Sequence, residues 1–182
     1  MDRQDTKIDV LQCVLWSLAL ISLSLWLGGL IAIGAIVAPQ TFHLLRGDPS
    51  LVGQVDVQNH LAAGIIGGSF RIFNKLCEVC GFILTISTIS ATQFGGFAGI
   101  KRKLGVGTSF ATIALTLTAV YLDYSVFPAM DGARAVGNTA DFDRLHALYV
   151  NVSNVQLLGL LAVVLGIALM FSMRTSTRSE QL

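Results

Sequence analysis

The chain has 182 residues, a formal net charge of +1, 53% hydrophobic residues and only 13% charged residues. Soluble domains carry about 25% charged residues, so this composition, with a mean hydropathy of +0.70, argues against an ordinary water-soluble globule. The high apolar content excludes a disordered chain, and the lack of a basic excess excludes a nucleic-acid partner bound through phosphates.

Taken in chain order, Val10–Leu45, Val79–Ile100, Leu104–Leu122 and Ala147–Met173 each lack Asp, Glu, Lys and Arg. About 20 apolar residues at 1.5 Å rise cross a hydrocarbon core roughly 30 Å thick. A soluble helix would show a polar outer face; along Leu18–Ala38 the only non-apolar residues are Ser22, Ser24 and glycines. Barrel strands would alternate in polarity, which the nearly uniform run Val155–Leu165 does not. The pattern predicts an all-α polytopic membrane protein, one domain over residues 1–182, with four transmembrane helices near 11–38, 72–94, 104–124 and 148–172. The first apolar run is longer than the 7–15 residues typical of a cleaved signal, so it is expected to be a retained helix.

Lys and Arg set orientation. Arg3 and Lys7, Lys101, Arg102 and Lys103, and Arg174 and Arg178 fall on one side. Arg46, Arg134 and Arg144 fall on the other, where Arg71 and Lys75 flank the second helix. Both termini are therefore expected in the cytoplasm, with long outer connections near 39–70 and 125–147. Pro39 and Pro128 are expected to end helices by lacking an N–H, and Asp141 to cap the fourth. Leu61–Phe73 reads equally as an extension of the second helix or as an interfacial segment.

Lipid tails are as apolar as leucine, so small residues drive helix contact. Gly28 with Ala32, Ala63 with Gly67, Gly64 with Gly68, Gly107 with Ala111, and Gly159, Ala162 and Gly166 supply such faces, for packing within one bundle or for a homo-oligomer. Tyr121 and Tyr124 suit an interfacial belt; Trp26 is deeper and reads as a packing residue.

Ionisable residues inside a membrane are costly and point to function. Arg71, Lys75 and Glu78 run along one face of the second helix, with Asn74 beside them; Asp123 ends the third on the same side; Arg144, His146, Asn151 and Asn154, together with Ser153 and Gln156, begin the fourth. These residues form the candidate ligand site, an outward-facing polar pocket, with structural ion pairing as the alternative. Imidazole and thiolate suit copper, zinc or haem iron, so His43, His60, His146, Cys77 and Cys80 are the candidate metal residues, against the ordinary reading of interfacial histidines and buried cysteines. No cofactor is expected, haem or copper being the alternative. Nothing identifies a bond made or broken, so no catalytic residue is assigned.

Trp26-Leu27-Gly28-Gly29 followed by Val37-Ala38-Pro39-Gln40-Thr41-Phe42 resembles the first-helix signature of the transmembrane protein 205-like family, also known as bacterial domain of unknown function 4149. Ala63–Phe70 with Phe73, Pro128 and Arg134, and Phe142 through His146 to Asn151 and Asn154 resemble its later segments in order. The resemblance implies four membrane helices with polar residues at one end, in a bacterial inner membrane. Eukaryotic members are associated with resistance to platinum drugs, which implies metal or small-solute handling. A more remote likeness to copper-resistance D type membrane proteins implies haem, but those use histidines within helices, whereas His43, His60 and His146 lie at helix ends. The function expected is small-solute or metal transport or resistance; the alternatives are a membrane scaffold without a small-molecule site and a haem or copper redox protein.

Overall fold

The computed structural model describes residues 3–95 and 97–179, with side chains over 10–95 and 97–172. Six α-helices follow in order: α1 Arg3–Ile31, α2 Ala38–Gly47, α3 Val55–Phe94, α4 Gly99–Tyr121, α5 Phe127–Ala135 and α6 Thr139–Ser179. No strand occurs among the described residues. Two π-helical segments, Ala32–Val37 and Leu122–Val126, join α1 to α2 and α4 to α5 without a break. Four helices long and apolar enough to cross a membrane result, at Val10–Gly47, Val55–Phe94, Gly99–Ala135 and Thr139–Ser172. The chain is a multi-pass helical bundle. Its surface carries apolar side chains suited to lipid, such as Ile86, Phe110 and Leu158, each more than 60% exposed.

The buried residues explain the bundle. They step by threes and fours along every helix: Gln12, Trp16, Ala19, Leu23 and Trp26 on the first; Phe73, Cys77, Cys80, Leu84, Ser87 and Ala91 on the second; Thr108, Thr112, Leu115, Ala119 and Leu122 on the third; Gln156, Leu160, Val163, Ile167 and Met170 on the fourth. That alternation averages 3.5 residues, the period that keeps one seam facing a neighbour in left-handed helix packing. Glycines let the seams close. A Cβ on Gly81 would lie 2.8 Å from Thr116 Oγ1, on Gly105 2.7 Å from Thr92 Oγ1, and on Gly166 2.7 Å from Thr108 Oγ1. These positions leave room only for hydrogen. Of the small residues expected at helix contacts, Gly159 and Gly166 are packed, whereas Gly28, Gly64, Gly68 and Gly107 have open space beside them.

The helices are longer than the charge-free runs. Forty residues in α3 at 1.5 Å rise reach ~60 Å, about twice a hydrocarbon core of ~30 Å. The expected long connections are therefore helical, and the true loops among the described residues are short, at 48–54, at 95 with 97–98, and at 136–138. Leu61–Phe73 belongs to the continuous α3. Pro39 and Pro128 do not end their helices, contrary to expectation. Each occupies the first turn of the next helical segment, directly after a π turn. There Ala38 N–H bonds Ile33 O and Phe127 N–H bonds Leu122 O, five residues back. The widened turn accommodates the proline, whose missing N–H breaks the regular ladder. The fourth helix is capped by Asn138 rather than Asp141: Asn138 Oδ1 accepts from Asp141 N–H at 3.2 Å, and Asn138 Nδ2 donates to Asp141 Oδ2 at 2.7 Å. Asp141 is the acidic residue of the first turn, where its charge complements the positive end of the helix dipole.

Candidate functional site

The cluster assembles on α3, a little past the midpoint of that helix. Asn74 and Glu78 stand one turn apart on its buried face, with Lys75 beside them. Asp123 comes from the π segment Leu122–Val126. A π turn adds a residue per turn and re-aims side chains, which is why such turns recur at functional sites; here Leu122 and Asp123 are both buried.

Lys75 Nζ joins the two acids. It donates to Glu78 Oε2 at 3.4 Å and forms an ion pair with Asp123 Oδ2, and it lies 4.1 Å from the centroid of the Tyr124 ring. The Lys75 side chain is half-exposed, whereas those of Glu78 and Asp123 are 11% and 6% exposed. An ammonium on a long stem at a lipid-facing position can snorkel outward; the two carboxylates cannot. One turn toward the loops, Arg71 pairs with Asp131 at 2.5 Å and lies over Phe127. On the fourth helix, Tyr149 donates its hydroxyl to Asn74 Oδ1 at 2.7 Å. Arg134 donates to Ala63 O at 3.3 Å, tying α5 to α3.

Four buried side-chain atoms among the described residues have no hydrogen-bond partner: Trp26 Nε1, Asn74 Nδ2, Glu78 Oε1 and Ser153 Oγ. Contacts set them at neighbouring levels. Trp26 reaches the level of Gly81, one turn from Glu78. Tyr149 meets Asn74 and Gln156 meets Thr118, which brackets Ser153 at the height of Glu78. Folded proteins leave few such atoms unpaired, and each calls for an explanation; in lipid the cost of one is greater.

The structure thus brings together Lys75, Glu78 and Asp123, with Arg71 one turn away. Arg144, His146, Asn151 and Asn154 are exposed; Arg144 lies 3.6 Å from Asp141, and His146 stacks on Phe142. His43 and His60 are exposed as well, whereas Cys77 and Cys80 are buried on α3. No group of three or more His, Cys, Asp or Glu side chains placed to hold a metal occurs among the described residues. The reading from sequence passed over Tyr149 and Asp131, took Trp26 for a packing residue, and counted Ser153 only among the polar residues that begin the fourth helix. Helix period carries the signal for two of them: Tyr149, Ser153, Gln156 and Leu160 step by four, three and four, the rhythm of the buried seam, whereas Asn151 and Asn154 fall outside it.

The fold and this cluster define a class: a four-span helical membrane protein with an acid–lysine–acid group and unpaired polar atoms in its interior. No family model matches the chain, and neither a curated protein nor a solved structure matches it.

Proposed function

We propose that the protein binds and moves a small polar or ionic solute at the Lys75–Glu78–Asp123 cluster, as a transport or resistance protein of the transmembrane protein 205-like family. The protein would lie in a bacterial inner membrane with both termini cytoplasmic. The observation that carries this reading is that every unpartnered buried side-chain atom among the described residues belongs to a residue at the level of the ion cluster or one turn from it. A structural ion pair has reason to satisfy its own atoms, since each unsatisfied one costs stability. A binding site has reason to leave some for its ligand. Trp26 and Asn74 offer donors, Glu78 an acceptor and Ser153 either, a mixture that suits a solute with both donors and acceptors better than a bare metal ion, from which Lys75 keeps the carboxylates occupied.

The test is growth of an expressing host under graded copper, zinc and platinum salts and small polar toxicants, together with uptake into proteoliposomes. Glu78→Gln and Asp123→Asn are expected to reduce uptake at least about tenfold, the equivalent of ~1.4 kcal/mol. Unchanged growth and uptake in both variants, with the protein correctly inserted, would remove the basis of the proposal.

A second reading, an assembly or scaffold protein, draws on Gly28, Gly64, Gly68 and Gly107, which have open space beside them on helices where small residues permit close approach of another helix. Monomeric behaviour in mild detergent, with no co-purifying partner, counts against it.

A further inference from the structure

We propose that Glu78 and Asp123 hold one exchangeable proton between them beside the Lys75 ammonium, making the pair a proton-binding site within the bundle. This deepens the reading above and rests on it for the choice of site.

Charge comes first. Lys75 brings one positive charge against two carboxylates, and it touches both. An unbalanced negative charge in a membrane interior is expensive, and a single proton removes the imbalance. Arg71 and Asp131 balance each other one turn away, so neither supplies the missing charge. At this level the second helix also presents the Cys77 thiol, the third the Tyr124 ring and the fourth the Tyr149 hydroxyl. The first helix contributes Trp26, which does not titrate.

Hydrogen bonding leads to the same place. Glu78 Oε2 is taken by Lys75, while Glu78 Oε1 is buried with no partner. Both carboxyl groups touch the same Lys75 Nζ, so Glu78 and Asp123 stand side by side around one ammonium. Two carboxylates are acceptors only and cannot bond. A proton on either turns it into a donor beside the other, so one proton both balances the charge and gives the pair the donor it lacks.

The surroundings indicate the route of exchange. Toward the chain termini, the hydroxyls between the second and third helices are already bonded: Thr85 to Thr116, Thr88 to Thr112, and Thr92, Ser109, Thr112 and Thr116 to their own helices. Toward the loops, Lys75 is half-exposed, and the unpaired Asn74 Nδ2 and Ser153 Oγ offer the polar partners that a bridging water needs. The proton therefore enters and leaves from the loop end.

Infrared difference spectroscopy of the full chain in lipid nanodiscs, titrated with pH, tests this. A C=O stretching band of a protonated carboxyl, shifting in deuterated buffer, is expected at neutral pH in the unaltered protein. It should vanish in both Glu78→Gln and Asp123→Asn and persist in Asp131→Asn. Absence of the band from the unaltered protein overturns the proposal without recourse to any variant, and persistence in both site variants overturns it too. Glu78→Asp, which preserves both acids, should retain the band. Uptake measured on the same preparations separates the two readings. A band without solute uptake leaves the proton site standing and the transport reading fallen; uptake that depends on Glu78 without a band does the reverse.

Discussion

The half of the bundle nearer the chain termini and the half nearer the long-helix loops solve one problem differently. Both place polar side chains where water is scarce. In the terminal half, threonines and serines of the second and third helices return their hydroxyls to carbonyls of their own helix or to each other across the seam, at 2.7–3.2 Å. Gln12 closes the end by donating to Ala91 O at 3.3 Å. Glycine opposite threonine brings the backbones together. In the loop half, polar groups carry charge, the helices widen into π turns, and prolines follow. There Trp26, Asn74, Glu78 and Ser153 keep unpaired atoms. Polarity alone does not set the two halves apart; polarity left unsatisfied does.

The largest effect expected outside the ion cluster comes from breaking the glycine seam. Gly81→Val places its Cβ 2.8 Å from Thr116 Oγ1 and 3.1 Å from the Trp26 ring, and overpacking of this kind costs about 1–3 kcal/mol. Gly28→Val, with nothing within 4 Å of its Cβ, should leave stability in detergent unchanged. Equal loss in the two variants, measured by thermal or denaturant unfolding, would mean that the seam is not what holds the bundle.

Next comes a pair of hydroxyl deletions, one in each half, that separates the halves by the same chemical change. Thr112→Val removes a hydroxyl that bonds both Ser109 O and Thr88; hydrogen bonds between membrane helices average only ~0.6 kcal/mol, and a mild loss is expected. Tyr149→Phe removes the sole partner of Asn74, leaving a buried amide wholly unpaired, which costs about 1–3 kcal/mol. If Thr112→Val proves the more damaging, the division drawn between the halves is wrong.

How far the sequence discloses this depends on which physical signal each feature leaves. Four spans follow from the absence of charge over membrane-length runs, which no packing detail can disguise. Their true ends do not, because residues 55–71, 127–135 and 139–147 carry charge and yet remain helical by packing on one another, as Arg134 on Ala63 O shows. Pro39 and Pro128 mislead for a related reason: a proline ends an isolated helix, but a π turn before it lets the helix continue. In the site, Lys75, Glu78 and Asp123 are legible as costly charges in apolar surroundings. Asn151 and Asn154 attract attention by polarity, yet a 3.5-residue seam leaves them outside and takes in Tyr149 and Ser153 instead. Trp26 leaves no trace of its role, since an indole N–H without a partner looks in sequence like any buried tryptophan.

The smallest effect belongs to the loop between the first two spans. Asp48 Oδ1 accepts from Ser50 N–H at 2.8 Å and from the Ser50 hydroxyl at 2.7 Å, and these bonds hold its carboxyl below the usual aspartate range. A carboxyl lowered in the folded state contributes above its unfolded value, and the contribution fades as pH falls through the folded value. The turn Pro49–Leu51 should therefore loosen in acid below the ordinary range of aspartate, and nowhere near neutrality. Amide hydrogen exchange at residues 50–54 reads this directly. Ser50→Ala removes the hydroxyl bond and keeps the backbone one, so it should raise exchange there at neutral pH and weaken its acid dependence, while leaving the amides around Lys75 and Glu78 untouched. A change spreading to that cluster would show that the loop and the site move together, and the two halves would no longer be separable by their hydrogen bonds alone.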